Sequence, residues 1–176
     1  MNYPEQNMDI LITKEEIKKR VRELGETISA GYTGREILAI GILKGAWIFM
    51  ADLVRKISVP VMCDFIGVSS YADATASSER VKLISDIRIP VNGKDVLLID
   101  DIIDTGFSIN FVKEYIKSKG SASIKLCVLL DKPSRRKVDI HVDYIGFTIP
   151  DRFVVGYGLD YAERYRNLPF ISAVKV

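Results

Sequence analysis

The chain has 176 residues, 48% hydrophobic and 27% charged, a size and balance expected of one globular domain over residues 1–176 rather than of an extended disordered segment. Its 25 Lys and Arg against 23 Asp and Glu leave a formal net charge of +2, which excludes a global field able to hold nucleic acid or an anionic membrane; any anionic ligand must be held locally. The opening MNYPEQNMDILI lacks the basic start and long apolar core of a signal peptide, and no apolar run approaches membrane-spanning length, so a cytoplasmic location is expected.

Thr13-Lys14-Glu15-Glu16 has the spacing of a capping box, and Ile17, Val21, Leu24 and Ile28 then fall on one helical face, predicting an amphipathic helix that ends near Gly31. Residues 37–43 (ILAIGIL) form a continuous apolar run suited to a strand buried on both faces, and residues 46–56 read as a helix. A strand is predicted over 59–68. Residues 69–80 (SSYADATASSER) are small and polar with neither helical nor strand period, as a mobile lid would be. Further strands are predicted over 95–99 and 124–130, separated by a helix over 107–119 that Gly120 stops. After Pro133 the pattern loosens through residues 144–148, the Ile149-Pro150-Asp151 turn and a Gly-punctuated 154–159, which resembles a small cap more than another strand–helix–strand unit. Cys63 and Cys127 each lie in an apolar run and read as buried thiols, neither in a disulfide nor on a metal. Strands alternating with helices imply right-handed crossovers and an α/β fold: a mainly parallel sheet flanked by helices, with ligands at the carboxyl ends of the strands.

The loop at Val96 to Ser108 (VLLIDDIIDTGFS) carries most of the chemistry. Asp100 and Asp101 follow an apolar strand, and Thr105-Gly106-Phe107-Ser108 lead into a helix, whose first backbone N–H groups suit a phosphate monoester. Hydroxyls at Thr105 and Ser108 add donors. The two aspartates face the same ligand, either accepting hydrogen bonds from ribose hydroxyls or supporting bound Mg²⁺. Asp at a strand end and Thr before a helix are also ordinary turn and cap residues, so local physics gives a site for a phosphate and a sugar diol but no reaction.

Two acidic residues, two apolar ones and then Asp-Thr-Gly closely resemble the phosphoribosyl-pyrophosphate signature of the type I phosphoribosyltransferases. Within that group the chain resembles the hypoxanthine (hypoxanthine-guanine) phosphoribosyltransferase family over nearly its whole length, because four other segments match in order. Leu43-Lys44-Gly45 looks like the pyrophosphate-binding loop, which typically carries a non-proline cis peptide. Ser69-Ser70-Tyr71 is similar to the start of the flexible catalytic loop, whose Ser-Tyr pair, here Ser70 and Tyr71, closes over the reacting centre and excludes water. In Leu129-Leu130-Asp131-Lys132-Pro133, Lys132 matches the lysine that donates to the purine 6-oxo group, favouring hypoxanthine over adenine. The segment from Pro150 to Tyr161, with Tyr165-Arg166, looks like the base site: Phe153 stacks on the purine and the backbone near Val154 and Asp160 reads its edges. In the same segment Asp160 approaches a second Mg²⁺ and Arg166 contacts pyrophosphate.

The resemblance therefore implies the type I phosphoribosyltransferase fold with a small hood from the chain's two ends, Mg²⁺ as cofactor, and phosphoribosyl pyrophosphate with a 6-oxopurine as substrates. It also implies a homodimer or homotetramer, with no nucleic-acid or membrane partner. Asp104 matches the carboxylate facing purine N7, the general base. Phosphoribosyl-pyrophosphate contacts fall to Lys44, Gly45, Asp100, Asp101, Asp104, Thr105, Gly106, Phe107 and Ser108, and metal contacts to Asp100, Asp101 and Asp160. Three departures stand out: Asp100 where the family usually has Glu, Phe107 where Lys or Leu is common, and a lid with Ala72, Asp73 and Ala74 where relatives often have glycine. Two other readings fare worse. A paired-carboxylate glycosidase fails because adjacent Asp100 and Asp101 cannot flank a scissile bond, and a regulatory nucleic-acid binder on this fold needs a basic face. The one histidine, His141, lies outside every matching segment.

Overall fold

The computed structural model describes residues 9–71 and 80–174, with the side chains of all of these except Ser70, Tyr71 and Arg80. Six strands form the main sheet: β2 (Ile37–Leu43), β3 (Val61–Tyr71), β4 (Arg80–Ser85), β5 (Asp95–Ile103), β6 (Ser123–Asp131) and β7 (Tyr144–Thr148). Their order is β4-β3-β2-β5-β6-β7, and every neighbouring pair is parallel except the antiparallel β3–β4 at one edge. Three helices, α1 (Lys14–Gly31), α2 (Trp47–Val54) and α3 (Phe107–Ser118), flank it. A second, antiparallel sheet of β1 (Asp9–Ile12), β9 (Ile171–Ala173) and β8 (Val154–Val155), in the order β1-β9-β8, forms the hood.

The sheet separates two cores because successive strand side chains point to opposite faces. On one side Ile17, Val21, Leu24 and Ile28 of α1 and Phe49, Met50 and Leu53 of α2 pack on Leu97 and Ile99, together with hood residues such as Val154 and Ile171. On the other, Ile109, Val112 and Ile116 of α3 pack on Val96, Leu98, Leu126 and Val128. Thr13 caps α1 through the predicted capping box, and Gly120, at φ 81°, follows the end of α3.

The structure departs from the sequence expectations in three places. Strands β1, β4 and β9 were not foreseen: two of them are three or four residues long, too short to show a period, and β4 is an edge strand whose Lys82 and Ile84 face out. Tyr144–Thr148 belongs to the main sheet as β7, parallel to β6, and not to the cap. Cys63 is exposed, while Cys127 is buried as expected; Cys63 shares a face of β3 with the exposed Phe65, and α2 packs over β2 and β5 instead.

Where β2 leaves β5 a gap opens. Their pairing ends at Gly41 and Ile99, although β2 stays paired with β3 to Leu43 and β5 with β6 to Ile103. This is the switch point of an open α/β sheet, where the chain crosses from one side of β2 to the other, and ligands bind at such crevices.

Candidate active site

A cleft of about 350 Å³ fills that gap, lined by the ends of β2 and β5, by Gly45, and by the turn carrying Asp104, Thr105, Gly106 and Ser108. Gly106 takes φ 91° ahead of α3, and a Cβ there would lie 3.0 Å from Ile140 Cδ1. The turn is also braced from behind, since the Thr105 carbonyl accepts N–H bonds from Lys137 (3.0 Å) and Val138 (3.2 Å). The N–H groups at the start of a 12-residue helix thus face an open cleft beside two hydroxyls, an arrangement suited to a phosphate. Phe107 is the exception among the expected ligands: its side chain lines a groove with Val81 and Phe111 on the outer side of α3, so only its backbone faces the turn.

Asp100 and Asp101 stand at the floor of the cleft. Burial holds both carboxyls above the usual range, Asp100 well above it with the neighbouring Asp101 charge adding to the effect, while hydrogen bonds and the Arg166 charge oppose the rise at Asp101. Opposite them the Leu43–Lys44 peptide is cis. A Cβ on Gly45 would lie 1.8 Å from Asp101 Oδ2, and one on Gly158 would lie 2.2 Å from the Gly45 carbonyl. Three segments remote in sequence therefore stack backbone on carboxylate with no room for a side chain between them.

The positive groups come from Lys44 and Arg166. Lys44 Nζ donates to Glu163 Oε1 at 2.8 Å, and Arg166 donates to Asp160 Oδ1 at 2.7 Å, to Glu163 Oε2 at 3.2 Å and to the Gly158 carbonyl at 2.7 Å. Hydrogen bonds from Lys44 and Arg166 hold the Glu163 carboxyl below its usual range. Asp160 also accepts the Glu163 N–H at 2.8 Å, so both of its oxygens are engaged by protein donors.

On the hood side, Phe153 is 44% exposed and meets Tyr161 edge-on, with ring centroids 5.7 Å apart, which leaves a ring face for a planar ligand. Val154 is buried in β8. Lys132 follows the end of β6 and is buried, with its N–H bonded to the Ile103 carbonyl at 3.0 Å; among the described residues no carboxylate pairs with its ammonium. Asp104 accepts a bond from Arg135 Nε at 3.0 Å at the cleft wall. Sequence reasoning missed Arg135, Glu163, Tyr161 and Gly158. The last three lie within or just past the matched hood segment, and Arg135 follows Lys132 by three positions, so proximity to the motifs was the available signal. Ser70 and Tyr71 continue β3 toward the cleft, but their side chains, and the lid stretch 72–79, lie outside the described residues. His141 is 84% exposed and takes no part.

The donor set is that of hard-cation chemistry. Among the described residues no cluster of three or more His, Cys, Asp or Glu is placed to cage a metal alone. Two adjacent buried carboxylates fit an ion that takes its remaining ligands from phosphate oxygens and water, as Mg²⁺ commonly does.

A sequence profile of the phosphoribosyl transferase domain matches residues 8–162. The chain is 52% identical over 166 residues to a hypoxanthine-guanine phosphoribosyltransferase of Bacillus subtilis (strain 168), covering 94% of this chain and 92% of that one. It is 45% identical over 169 residues to a hypoxanthine phosphoribosyltransferase of Salmonella typhimurium, covering 95% of each. Among solved structures it is similar to a hypoxanthine phosphoribosyltransferase from Staphylococcus aureus, with a TM-score of 0.92, 43% identity, and 97% and 93% of the two chains covered.

Proposed function

The chain belongs to the phosphoribosyltransferase family, and on that premise we propose how the cleft between Lys44, Asp101 and Phe153 performs the family's purine-salvage reaction. The enzyme transfers the 5-phosphoribosyl group from phosphoribosyl pyrophosphate to hypoxanthine, giving inosine monophosphate and pyrophosphate. Guanine is the expected second acceptor. The observation that supports the assignment of roles is the stack of Asp101, Gly45 and Gly158, which brings the end of β5, the loop after β2 and the Gly-rich segment after β8 together beside one gap in the sheet.

In this reading the Thr105–Ser108 turn holds the 5-phosphate through backbone N–H groups and two hydroxyls, and Asp100 and Asp101 accept from the ribose hydroxyls. Lys44, the Gly45 N–H and Arg166 hold the pyrophosphate. Phe153 stacks on the purine, Lys132 donates to its 6-oxo group, and the backbone at Val154 and Asp160 reads the base edges. Purine N9 attacks the anomeric carbon as its bond to pyrophosphate oxygen breaks, with inversion, and Asp104 takes the N7 proton. Arg135 must release or share Asp104 for that step, since it occupies one carboxylate oxygen at 3.0 Å. Ser70 and Tyr71 close the lid over the reacting carbon. Asp100 and Asp101 would hold one Mg²⁺ and Asp160 would approach a second, ions that would offset the charge of the leaving pyrophosphate when bound.

Residues 1–176 act as a single catalytic domain in this reading, assembled as a homodimer or homotetramer. No helix among the described residues is long and apolar enough to cross a membrane. The test is a steady-state assay with phosphoribosyl pyrophosphate, Mg²⁺ and hypoxanthine, guanine, xanthine or adenine in turn, on wild type and Asp104→Asn. Turnover of 6-oxopurines that falls at least about tenfold in the variant is expected; adenine preference or an unaffected variant overturns the assigned roles.

A further inference from the structure

Glu163 sits at the tip of a tight hairpin turn. Tyr161 and Arg164 exchange N–H to carbonyl hydrogen bonds at 3.1 Å each, and between them Ala162 and Glu163 take φ 50° and 62°. Two consecutive residues at positive φ are the pattern of a type I′ turn, which favours Asn and Gly over residues with ordinary side chains. The conformation persists here because Asp160 Oδ2 accepts the Glu163 N–H at 2.8 Å. Its effect is to aim one carboxylate between two cations: Oε1 accepts from Lys44 Nζ at 2.8 Å and Oε2 from Arg166 at 3.2 Å. Lys44 is 119 positions away in sequence and belongs to the cis-peptide loop, so the contact ties hood to sheet.

These are the two cations that the reading above gives to pyrophosphate, and the present inference rests on that reading. A carboxylate bridging them stands where an anionic oxygen of the ligand would stand. We propose that Glu163 is a resident competitor for the pyrophosphate end of the sugar donor: it keeps Lys44 and Arg166 gathered while no diphosphate is bound, and yields them when one arrives. Diphosphate wins the exchange because it carries more charge and more acceptor oxygens than one carboxylate. The displaced Glu163, anchored only a few bonds from the site, remains as a like charge and shortens the ligand's stay. Because its side chain is 64% exposed, the competition is moderate, enough to hasten product release without preventing binding.

The experiment is calorimetric titration of inorganic pyrophosphate with Mg²⁺ into the full chain as wild type, Glu163→Gln and Glu163→Ala. It is paired with steady-state KM values for phosphoribosyl pyrophosphate and hypoxanthine. Both variants are expected to bind pyrophosphate roughly threefold to tenfold tighter and to lower the KM for phosphoribosyl pyrophosphate, with the KM for hypoxanthine and the melting temperature unchanged. Weaker or unaltered pyrophosphate binding in the folded variants overturns the proposal, because Glu163 would then be only a brace for the two cations. A wild type that binds pyrophosphate but does not turn over hypoxanthine overturns the assigned reaction instead, and the titration still decides the role of Glu163. A wild type that binds no pyrophosphate overturns both.

Discussion

Gly45 shows how little tolerance the cleft has at a single position. Any side chain there meets the Asp101 carboxylate, whose Oδ2 would be 1.8 Å from the added Cβ, and the backbone cannot retreat because Gly158 packs against the Gly45 carbonyl from the other side. Gly45→Ala is therefore expected to fold, with Asp101 driven out of place, and to lose at least about tenfold in kcat/KM for phosphoribosyl pyrophosphate, read in the steady-state assay. Asp100, Asp101 and Thr105 could be picked out in the sequence as an acidic and hydroxyl run after an apolar strand, whereas Asp104 and Lys44 were singled out only by the resemblance to the family's motifs. Glu163 and Arg135 were not, since their significance lies in bridges to Lys44 and Asp104 that form only after remote segments meet. Phe107, expected at the phosphate site from its place in the motif, starts α3, and it also lines a groove with Phe111 and Val81.

Among the secondary elements, α1, β2 and α3 could be read almost residue by residue, because a capping box, an unbroken apolar run and a glycine stop each have one local cause. The short strands β1, β4 and β9 had no such cause and exist through their partners. A polar clasp closes the fold around α3: Asp86, just past β4, accepts from the Tyr115 hydroxyl at 2.7 Å and from Lys119 Nζ at 3.2 Å. The Tyr115 hydrogen bond, and then Lys119, hold the Asp86 carboxyl below its usual range. A carboxyl lowered in the folded state stabilises the protein above its unfolded pKa, and that contribution disappears as pH falls through the folded value. Asp86→Asn should thus be less stable than wild type near pH 7 and should converge with it below about pH 4, in thermal melts across that range.

Across the whole molecule, the proposed reading divides the ligand between sheet and hood, with the phosphate turn and Lys132 on the sheet side and Phe153 and Arg166 on the hood side, so the two must stay in register. One tie is buried. The Tyr157 hydroxyl donates to Asp52 Oδ2 of α2 at 2.6 Å, and burial pushes the phenol pKa up. Removing a hydrogen bond to a charged acceptor costs about 1.5–3 kcal/mol, and each kcal/mol lowers Tm by roughly 2–4 °C at this size. Tyr157→Phe should therefore melt several degrees lower in calorimetry. The parallel α/β sheet was foreseen from alternating periods, whereas the hood showed in the residue pattern only as irregularity and was expected from the family resemblance alone, because its sheet joins β1 to β8 and β9, far apart in sequence. That pairing has a consequence for biosynthesis. Val154 and Val155 hydrogen-bond to β9, and Asp9 of β1 pairs with Ala173. A growing polypeptide translated through Asp160 already carries every residue of the turn at Thr105–Ser108 and the floor of the cleft, yet β8 has no partner until Ala173 has left the ribosome. The proposed base site is in this sense completed later in synthesis than the phosphate turn.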